Sequence, residues 1–224
     1  MSNLGDALSN APLPEEAGGT DNTTFSSGKF LAYDGAKIAS SSYDQNSFVT
    51  PSTAAKRTII LGAAGGWPST TSGCADPTRV EYTTNKQNLY IMDFDKDTVE
   101  YAQWTIFMPD SYDGGTIIVR FIWLSTTNSG DVVWNIQGRT YGDGEAIDQA
   151  WGDVVAVTDT TPGTAGQIAI SAESSAITLS GTPAPGELCQ IRVSRNASNG
   201  SDTLAADARL IAIKLEYGIN VYTD

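Results

Sequence analysis

From Arg57 onward the chain is a succession of short stretches in which apolar and polar residues alternate, separated by turn residues. The longest, EYAQWTIFMPDSYDGGTIIVRFIW, runs from Glu100 to Trp123. Its β-branched and aromatic residues recur with a period of two, which is typical of strands. Pro109 ends the first strand, and Asp113-Gly114-Gly115 supplies turn residues. We therefore predict a central β-hairpin with a loop of about six residues. Ala102, Trp104, Ile106 and Met108 share one face of the first strand, and Ile117, Val119, Phe121 and Trp123 share one face of the second. Both strands also carry apolar residues on the opposite face, so we expect the hairpin to be covered on each side by sheet or by a partner.

Similar stretches fill the rest of the chain after Arg57, and no long helical period interrupts them. Only residues 144–152 and 201–208 could hold a turn or two of helix. The pattern predicts that residues 57–224 form one antiparallel, jelly-roll-like β-sandwich of about eight to ten strands. The other predicted strands are 57–61, 79–84, 88–94, 131–138, 153–159, 166–172, 175–181, 187–195 and 208–218.

Residues 1–56 show neither a helical nor a strand period. Their apolar residues stand apart in a segment too polar to form a core. One interpretation is an extended N-terminal arm that orders only against a neighbouring molecule. The other is a disordered tail with a strand or two near Phe30–Tyr33. The arm residues expected to make contacts are Leu4, Leu8, Leu13, Phe25 and Phe30.

The charge balance excludes several partners. The chain has 13 Lys and Arg against 26 Asp and Glu, no His, and a net charge of −13. Such a surface is unsuited to nucleic acid or to an anionic membrane. The N-terminus has no signal-peptide pattern, so we expect synthesis in the host cytoplasm. Cys74 and Cys189 are distant in sequence, and Cys189 alternates with apolar residues. We expect a buried thiol there and no disulfide.

Two acidic groups are candidates for chemistry. Asp93, Asp95 and Asp97 are weak candidates for a calcium site. An EF-hand is excluded, since Thr98 stands where that loop needs Gly and Trp104 where it needs Glu. A solvated strand end is the alternative. We predict no resident metal or cofactor.

Asp143, Glu145 and Asp148 form the second acidic group, and paired carboxylates are what glycoside hydrolysis requires. However, acidic residues are frequent in this chain, so such groups arise by chance. The absence of His removes every catalytic triad or dyad that uses imidazole. We predict no catalytic residues and no enzymatic activity.

Aromatic residues in predicted loops offer a binding function instead. Trp67, Tyr112 and Trp151, with Tyr141 nearby, could stack on a sugar ring. The first three are the candidate glycan contacts. The alternative is that these rings seal the ends of the sandwich or an intersubunit contact.

Over roughly residues 59–218 the sequence resembles structural proteins of tailed-phage virions. The motifs that carry this resemblance are DFD (93–95), E-Y-A-x-W (100–104), MP-x-x-Y-D-G-G-T (108–116), a strand ending at Trp123, and D-T-x-x-x-D-A-R-L (202–210).

The resemblance implies a non-enzymatic subunit on the outside of a head or in a tail appendage, commonly a trimeric β-sandwich knob. The expected function is therefore that of a capsid-decorating, cement or head-fibre subunit. Its partners would be its own copies, the major capsid protein and other virion proteins, and its location would be the virion. A tail-fibre or receptor-binding module that holds a host surface glycan is the alternative. Head and tail are not distinguished.

Overall fold

The structure, a computed structural model, describes residues 29–33, 38–44 and 55–219, with side chains from residue 55 onward. The chain divides into two compact units, residues 1–52 and residues 53–224. The first contains an antiparallel pair of strands, β1 (Lys29–Tyr33) and β2 (Ile38–Asp44). The strand expected near Phe30–Tyr33 is therefore present. Leu4, Leu8, Leu13 and Phe25 lie outside the described residues, and so does the side chain of Phe30.

The described part of the second unit is built almost entirely of strands. A single turn of 3-10 helix, Ala63–Gly65, follows the first of them. The strands are β3 (Lys56–Gly62), β4 (Trp67–Pro68), β5 (Thr78–Glu81), β6 (Asn88–Phe94), β7 (Glu100–Phe107), β8 (Tyr112–Ser125), β9 (Asp131–Tyr141), β10 (Val155–Thr160), β11 (Ala169–Ile170), β12 (Leu188–Arg195) and β13 (Ala208–Ile219).

These strands form two antiparallel sheets. Sheet I has the order β10-β9-β12-β7-β4, and sheet II has the order β11-β8-β13-β6-β5, with β3 also paired to β13. The chain changes sheet at every connection from β3 to β13 except those between β5 and β6 and between β9 and β10. Because consecutive strands alternate between the layers, the fold is a jelly-roll-like β-sandwich. The predicted fold class is confirmed.

The predicted hairpin at residues 100–123 is wrong. β7 pairs with β12 and β4 in sheet I, whereas β8 pairs with β13 and β11 in sheet II. Each strand buries one face, which includes Trp104 in β7 and Phe121 in β8, and the two faces meet from opposite sides of one core. The other face of β7 is not covered throughout, since Phe107 is 68% exposed. The corner between them closes with the Tyr112 N–H donating to the Pro109 carbonyl at 2.9 Å. Alternation identifies the face that a strand buries and leaves its partner undetermined.

The core is joined across the sheets by one tryptophan. Trp134 of sheet I stacks on Phe121 of sheet II, with ring centroids 5.3 Å apart. Phe94 and Trp123, also of sheet II, meet the same ring edge-on at 5.2 and 6.3 Å. All four side chains are fully buried. Such offset and edge-on contacts add to the free energy of burying the rings.

Three details of the predicted elements are corrected. No α-helix forms among the described residues, so 144–152 and 201–208 are loops. Residues 175–181 make only isolated bridges, at Ile177 and Ser180. Alternation along residues 208–218 predicts Arg209 and Ile211 on the same face as Ile213, but a bulge in β13 between Leu210 and Ala212 shifts the register and removes both from that face. The structure shows no helix long and apolar enough to cross a membrane in the part of the chain that it describes.

A buried ion pair fixes the loop before β13. Arg195 is fully buried and binds the carboxylate of Asp202, with Nη2 to Oδ1 at 2.7 Å and Nε to Oδ2 at 3.1 Å. The remaining guanidinium donors reach three backbone carbonyls, those of Phe94, Leu204 and Ala206. All five donors are therefore used. The first Asp of the D-T-x-x-x-D-A-R-L motif has a structural role.

Candidate functional site

The outer face of sheet I carries polar and aromatic side chains in rows across its strands. Residues opposite each other in an antiparallel sheet point to the same side. Inward-facing Ile191 and Val193 of β12 are buried, so Arg192 between them points outward. Arg192 lies opposite Gln137 of β9 and Gln103 of β7, and Gln103 lies opposite Trp67 of β4. This row places one guanidinium, two amides and an indole on one exposed surface.

Two aromatic rings contact Arg192. Its guanidinium carbon lies 4.8 Å from the centroid of the Trp151 ring and 5.1 Å from that of Tyr101. Its Nε and Nη2 donate to Oε1 of Gln137 at 3.2 and 2.6 Å. Partial burial lowers the pKa of Arg192 from its ordinary value, but arginine remains charged at neutral pH. The two rings and the amide fix the plane of this cation.

A short loop borders the same surface. Residues 69–74 are tied to the backbone of Tyr101, whose N–H donates to Ser72 at 2.8 Å and whose carbonyl accepts from Ser69 at 3.0 Å. The Ser69 hydroxyl accepts from the Gln103 amide at 2.9 Å. Loop and strands enclose a cleft of about 490 Å³, which we call the Arg192 cleft. It is lined by Ser69, Thr70, Thr71, Ser72, Tyr101, Gln103 and Arg192.

A second loop, residues 142–154, positions Trp151. The Gly152 carbonyl accepts from the Gln137 amide at 2.8 Å, and the Ala150 carbonyl accepts from Nη1 of Arg139 at 3.0 Å. A Cβ at Gly152 would lie 2.8 Å from the Gly138 carbonyl oxygen. Glycine therefore allows the loop to approach β9 closely, and this approach brings the indole of Trp151 onto Arg192.

The candidate glycan contacts are only partly brought together. Trp67 is 44% exposed and belongs to the outer face of sheet I, and Trp151 stacks on Arg192 on the same face. The loop position expected for Tyr112 is wrong. Tyr112 begins β8, is fully buried, and donates its hydroxyl proton to the Gly115 carbonyl. It packs edge-on against Tyr217 at 6.1 Å, so it seals the core and cannot contact a glycan.

Tyr141 and the second acidic group lie at the other end of this face. Tyr141 ends β9 and is mostly buried, with its hydroxyl donating to the Ile147 carbonyl at 3.1 Å; burial raises its pKa. Asp143, Glu145 and Asp148 are all exposed in the loop that follows. Glu145 accepts the Gly142 N–H of its own loop at 3.3 Å. The hydrogen bond of this carboxylate therefore shapes the loop.

The DFD carboxylates support a turn. Asp95 accepts the N–H groups of Asp97 and Thr98 at 2.7 and 2.9 Å, and these hydrogen bonds lower its pKa. Asp93 is half-buried beside Arg209, with Nε and Oδ1 3.3 Å apart. Burial raises the pKa of Asp93 despite this cation. Among the described residues, no group of three or more Asp, Glu or Cys has the geometry of a metal site.

The two cysteines are separate, buried thiols. Burial raises the pKa of each to about 12. Neither thiol is therefore a nucleophile at neutral pH.

Arg192, Gln103 and Gln137 were not among the residues singled out from the sequence. Their alternation with buried neighbours shows that they face outward. That they stand side by side depends on the pairing of β7, β12 and β9, which are far apart in the chain.

No protein-family model matches the chain, and no curated protein matches it. The resemblance to phage virion proteins therefore has no support from a family match. Among solved structures, a family 35 carbohydrate-binding module from Clostridium thermocellum is 12% identical, with a TM-score of 0.40, over 71% of this chain and 97% of that one.

Two further solved structures show the range of the likeness. The CBM22-2 xylan-binding domain of Paenibacillus barcinonensis Xyn10C is 10% identical, with a TM-score of 0.43, over 71% of this chain and 98% of that one. A structure of infectious bursal disease virus is 12% identical, with a TM-score of 0.36, over 95% of this chain and 39% of that one. At these values the likeness assigns no function.

Proposed function

We propose that the protein is a non-catalytic glycan-binding module whose ligand lies in the Arg192 cleft. The observation that carries this proposal is the arrangement around Arg192. A fixed cation, amide and hydroxyl groups and aromatic rings share one open surface of a rigid sheet. Sites that combine aromatic walls with a few oriented polar groups are typical of small-ligand recognition.

The chemistry of the cleft matches that of a sugar. Each sugar hydroxyl can both donate and accept a hydrogen bond, as can the Gln103 amide and the hydroxyls of residues 69–72. A pyranose ring also has an apolar C–H face, for which an exposed indole is a suitable platform. Trp67, opposite Gln103 in the sheet, supplies such a platform next to the polar groups. A glycan therefore satisfies both parts of the surface.

The test is retention of the protein in native gels that contain xylan, laminarin, polygalacturonate or purified bacterial O-polysaccharide. We expect at least one polymer to retard the wild type. Trp151→Ala and Trp67→Ala should reduce the retardation at least about tenfold, since Trp151 holds Arg192 in position and Trp67 is the proposed platform for the sugar ring. Tyr90→Ala is the matched control, because Tyr90 of sheet II is 46% exposed, close to the 44% of Trp67. Absence of retardation by every polymer, or equal retardation of the tryptophan variants, would contradict the proposal.

A second candidate function, self-association into a subunit of a virion surface, is favoured by the outer face of sheet II. Ile60 and Ile170 are 61% and 62% exposed there. Ile170 of β11 lies opposite Ile122, and Ile60 of β3 lies opposite Lys214, with β8 and β13 between the two isoleucines. Exposed isoleucines on one sheet face are typical of an interaction surface.

We propose a second copy of this chain as the occupant of that face, in the homotrimer that the resemblance implies. The same face carries ion pairs of both signs, Arg120–Glu173 and Lys214–Glu216. A face with both signs of charge is complementary to copies of itself. The decorating or cement role in a virion, with capsid proteins as partners, rests on this self-association and on the resemblance.

Sedimentation velocity at micromolar concentration tests the self-association. The wild type should sediment as a trimer, and the double variant Ile60→Lys, Ile170→Lys should sediment as a monomer with unchanged circular dichroism. A wild type that sediments as a stable monomer would rule out the oligomer, and a dimer would contradict the threefold symmetry alone.

A further inference from the structure

The guanidinium of Arg192 has hydrogen-bonding capacity that the protein does not use. Of its five N–H donors, Nε and one of Nη2 share a single acceptor, Oε1 of Gln137. The second Nη2 donor and both Nη1 donors have no partner among the described residues. These three donors form the terminal edge of the guanidinium, and Arg192 lines the open cleft.

Four other arginines in the described part of the chain are bound within the protein. Arg195 donates all five of its N–H groups to acceptors within the protein. Arg120 and Arg209 pair with Glu173 and Asp93. Arg139 is tied to the Ala150 carbonyl, Ser180 and Gln149.

Arg192 forms no ion pair with any residue that the structure describes, although acidic residues outnumber basic ones 26 to 13 in the sequence. A cation left without a carboxylate in so acidic a chain is available to an anion from outside.

The unused donors determine how that anion gains most from Arg192. Trp151 and Tyr101 contact the guanidinium at 4.8 and 5.1 Å. The N–H groups of a guanidinium lie in its plane, so an anion uses the remaining donors by approaching in that plane. An in-plane approach to Nη1 and Nη2 gives two parallel N–H···O hydrogen bonds, which suit a group with two anionic oxygens. A single neutral hydroxyl offers these donors one oxygen and no charge, so its hydrogen bonds to them are weaker.

We infer that the Arg192 cleft selects an anionic sugar, one that carries a carboxylate or a sulfate group held by the terminal edge of Arg192. The inference rests on the proposed glycan-binding function and names the class of its ligand. The anionic group accepts hydrogen bonds from Nη1 and Nη2. The hydroxyls of residues 69–72 and the Gln103 amide form hydrogen bonds with the hydroxyls of the same sugar ring.

The experiment is titration of the full chain with matched monosaccharides, followed through the Trp151 indole N–H by NMR. The neutral probes are glucose, galactose and mannose. The carboxylate probes are the corresponding hexuronic acids, and the sulfate probes are the corresponding 6-sulfates. We expect one charged class or both to bind at least about tenfold more tightly than the neutral sugars, since a hydrogen bond to a charged group is stronger than a neutral one. Comparison of the carboxylate probes with the sulfate probes identifies which anionic group the cleft prefers.

Three variants separate the role of the paired guanidinium donors from that of the positive charge. Arg192→Met keeps an apolar side chain next to the two rings and should bind charged and neutral sugars equally. Arg192→Lys keeps the positive charge but lacks the paired donors, so it should retain only part of the preference for charged sugars. Arg120→Met, on sheet II, is the matched control and should bind as the wild type does.

The remaining outcomes are decisive in different ways. Neutral sugars that bind as tightly as charged ones would overturn the inference and leave the glycan-binding function standing. The same would follow if Arg192→Met kept the preference for charged sugars. If no sugar of any class shifted the Trp151 signal up to its solubility limit, both the inference and the proposed function would be overturned.

Discussion

Arg195 illustrates how much of the fold depends on one polar side chain. Its guanidinium is buried with every donor satisfied, and its partner Asp202 is 2% exposed at the side chain. Removing one member of such a pair leaves the other buried and unpaired, which costs about 3–5 kcal/mol. We therefore expect Arg195→Met to lower the free energy of unfolding by about that amount in urea titrations.

Lys214→Met is the control for this prediction. It removes a positive charge from a more exposed pair with Glu216 and should cost no more than about 1 kcal/mol. Equal losses in the two variants would show that the Arg195 network is not a special constraint on the loop before β13.

Asp93 gives a prediction about pH. Burial raises its pKa in the folded protein, so the folded state binds this proton more tightly than the unfolded chain does. The resulting stability is fully present below the unfolded pKa of about 4 and is lost as the pH rises through the folded pKa. Asp93→Asn imitates the protonated form. The difference in free energy of unfolding, variant minus wild type, should therefore be more positive at pH 7 than at pH 3.5.

Urea titrations at the two pH values measure this difference. Asp97→Asn removes the same charge from an exposed position of the same motif and is the control. If both variants changed in parallel with pH, net charge rather than burial of Asp93 would be responsible.

Among the elements, the loop that borders the Arg192 cleft depends on one glycine. A Cβ at Gly73 would overlap the Ser69 carbonyl oxygen and lie 2.8 Å from Cβ of Pro68. Gly73→Ala must therefore displace residues 69–72. We expect it to weaken glycan binding about tenfold and to lower the free energy of unfolding by about 1–3 kcal/mol. Affinity electrophoresis and urea titration measure the two effects.

Gly65→Ala is the matched control in the same connection, because nothing lies within 4 Å of the added Cβ. It should change binding little. Loss of binding in both variants would indicate a general sensitivity of this connection, and unchanged binding in Gly73→Ala would exclude the loop from the site.

The elements also show what the sequence could predict. The alternating pattern gives the buried faces of β7 and β8 correctly, and it gives both ends of β6. It fails where local and non-local information differ. The proximity of β7 and β8 in sequence favours a hairpin, whereas closing two sheets over one core sends them to opposite layers. The bulge in β13 likewise reverses the expected faces of Arg209 and Ile211.

The candidate site was predictable to the extent that it depends on exposed aromatic residues. Trp67 and Trp151 share a face, as a common ligand requires. Tyr112 precedes a glycine-rich turn and so looks exposed in sequence, yet it contacts Tyr217, more than a hundred residues away. Arg192 carried no local signal, because its neighbours Gln137 and Trp151 come from another strand and another loop.

For the whole molecule, the boundary between the two units predicts independent folding of residues 53–224. Among the described residues, the core lies entirely between Leu61 and Ile219. The N-terminal strand β3 belongs to it, because β3 pairs with β13 from Lys56 to Gly62. The Ala55 carbonyl also accepts the Ile219 N–H at 3.2 Å. A chain that begins at residue 53 therefore retains every contact of sheet II that the structure describes.

We expect residues 53–224 to unfold at the same urea concentration as the full chain and to bind the same glycan. A chain of residues 63–224 should be much less stable, since it lacks β3, exposes the edge of β13 and leaves a cavity at Leu61 worth about 2–5 kcal/mol.

If residues 1–52 attach the subunit to a virion, the 53–224 chain should also fail to cosediment with purified particles that bind the full chain. Undiminished cosedimentation would place attachment on the sandwich itself, where the isoleucine face of sheet II is the surface to test next. A 53–224 chain that unfolds at lower urea than the full chain would mean that residues 1–52 stabilise the sandwich.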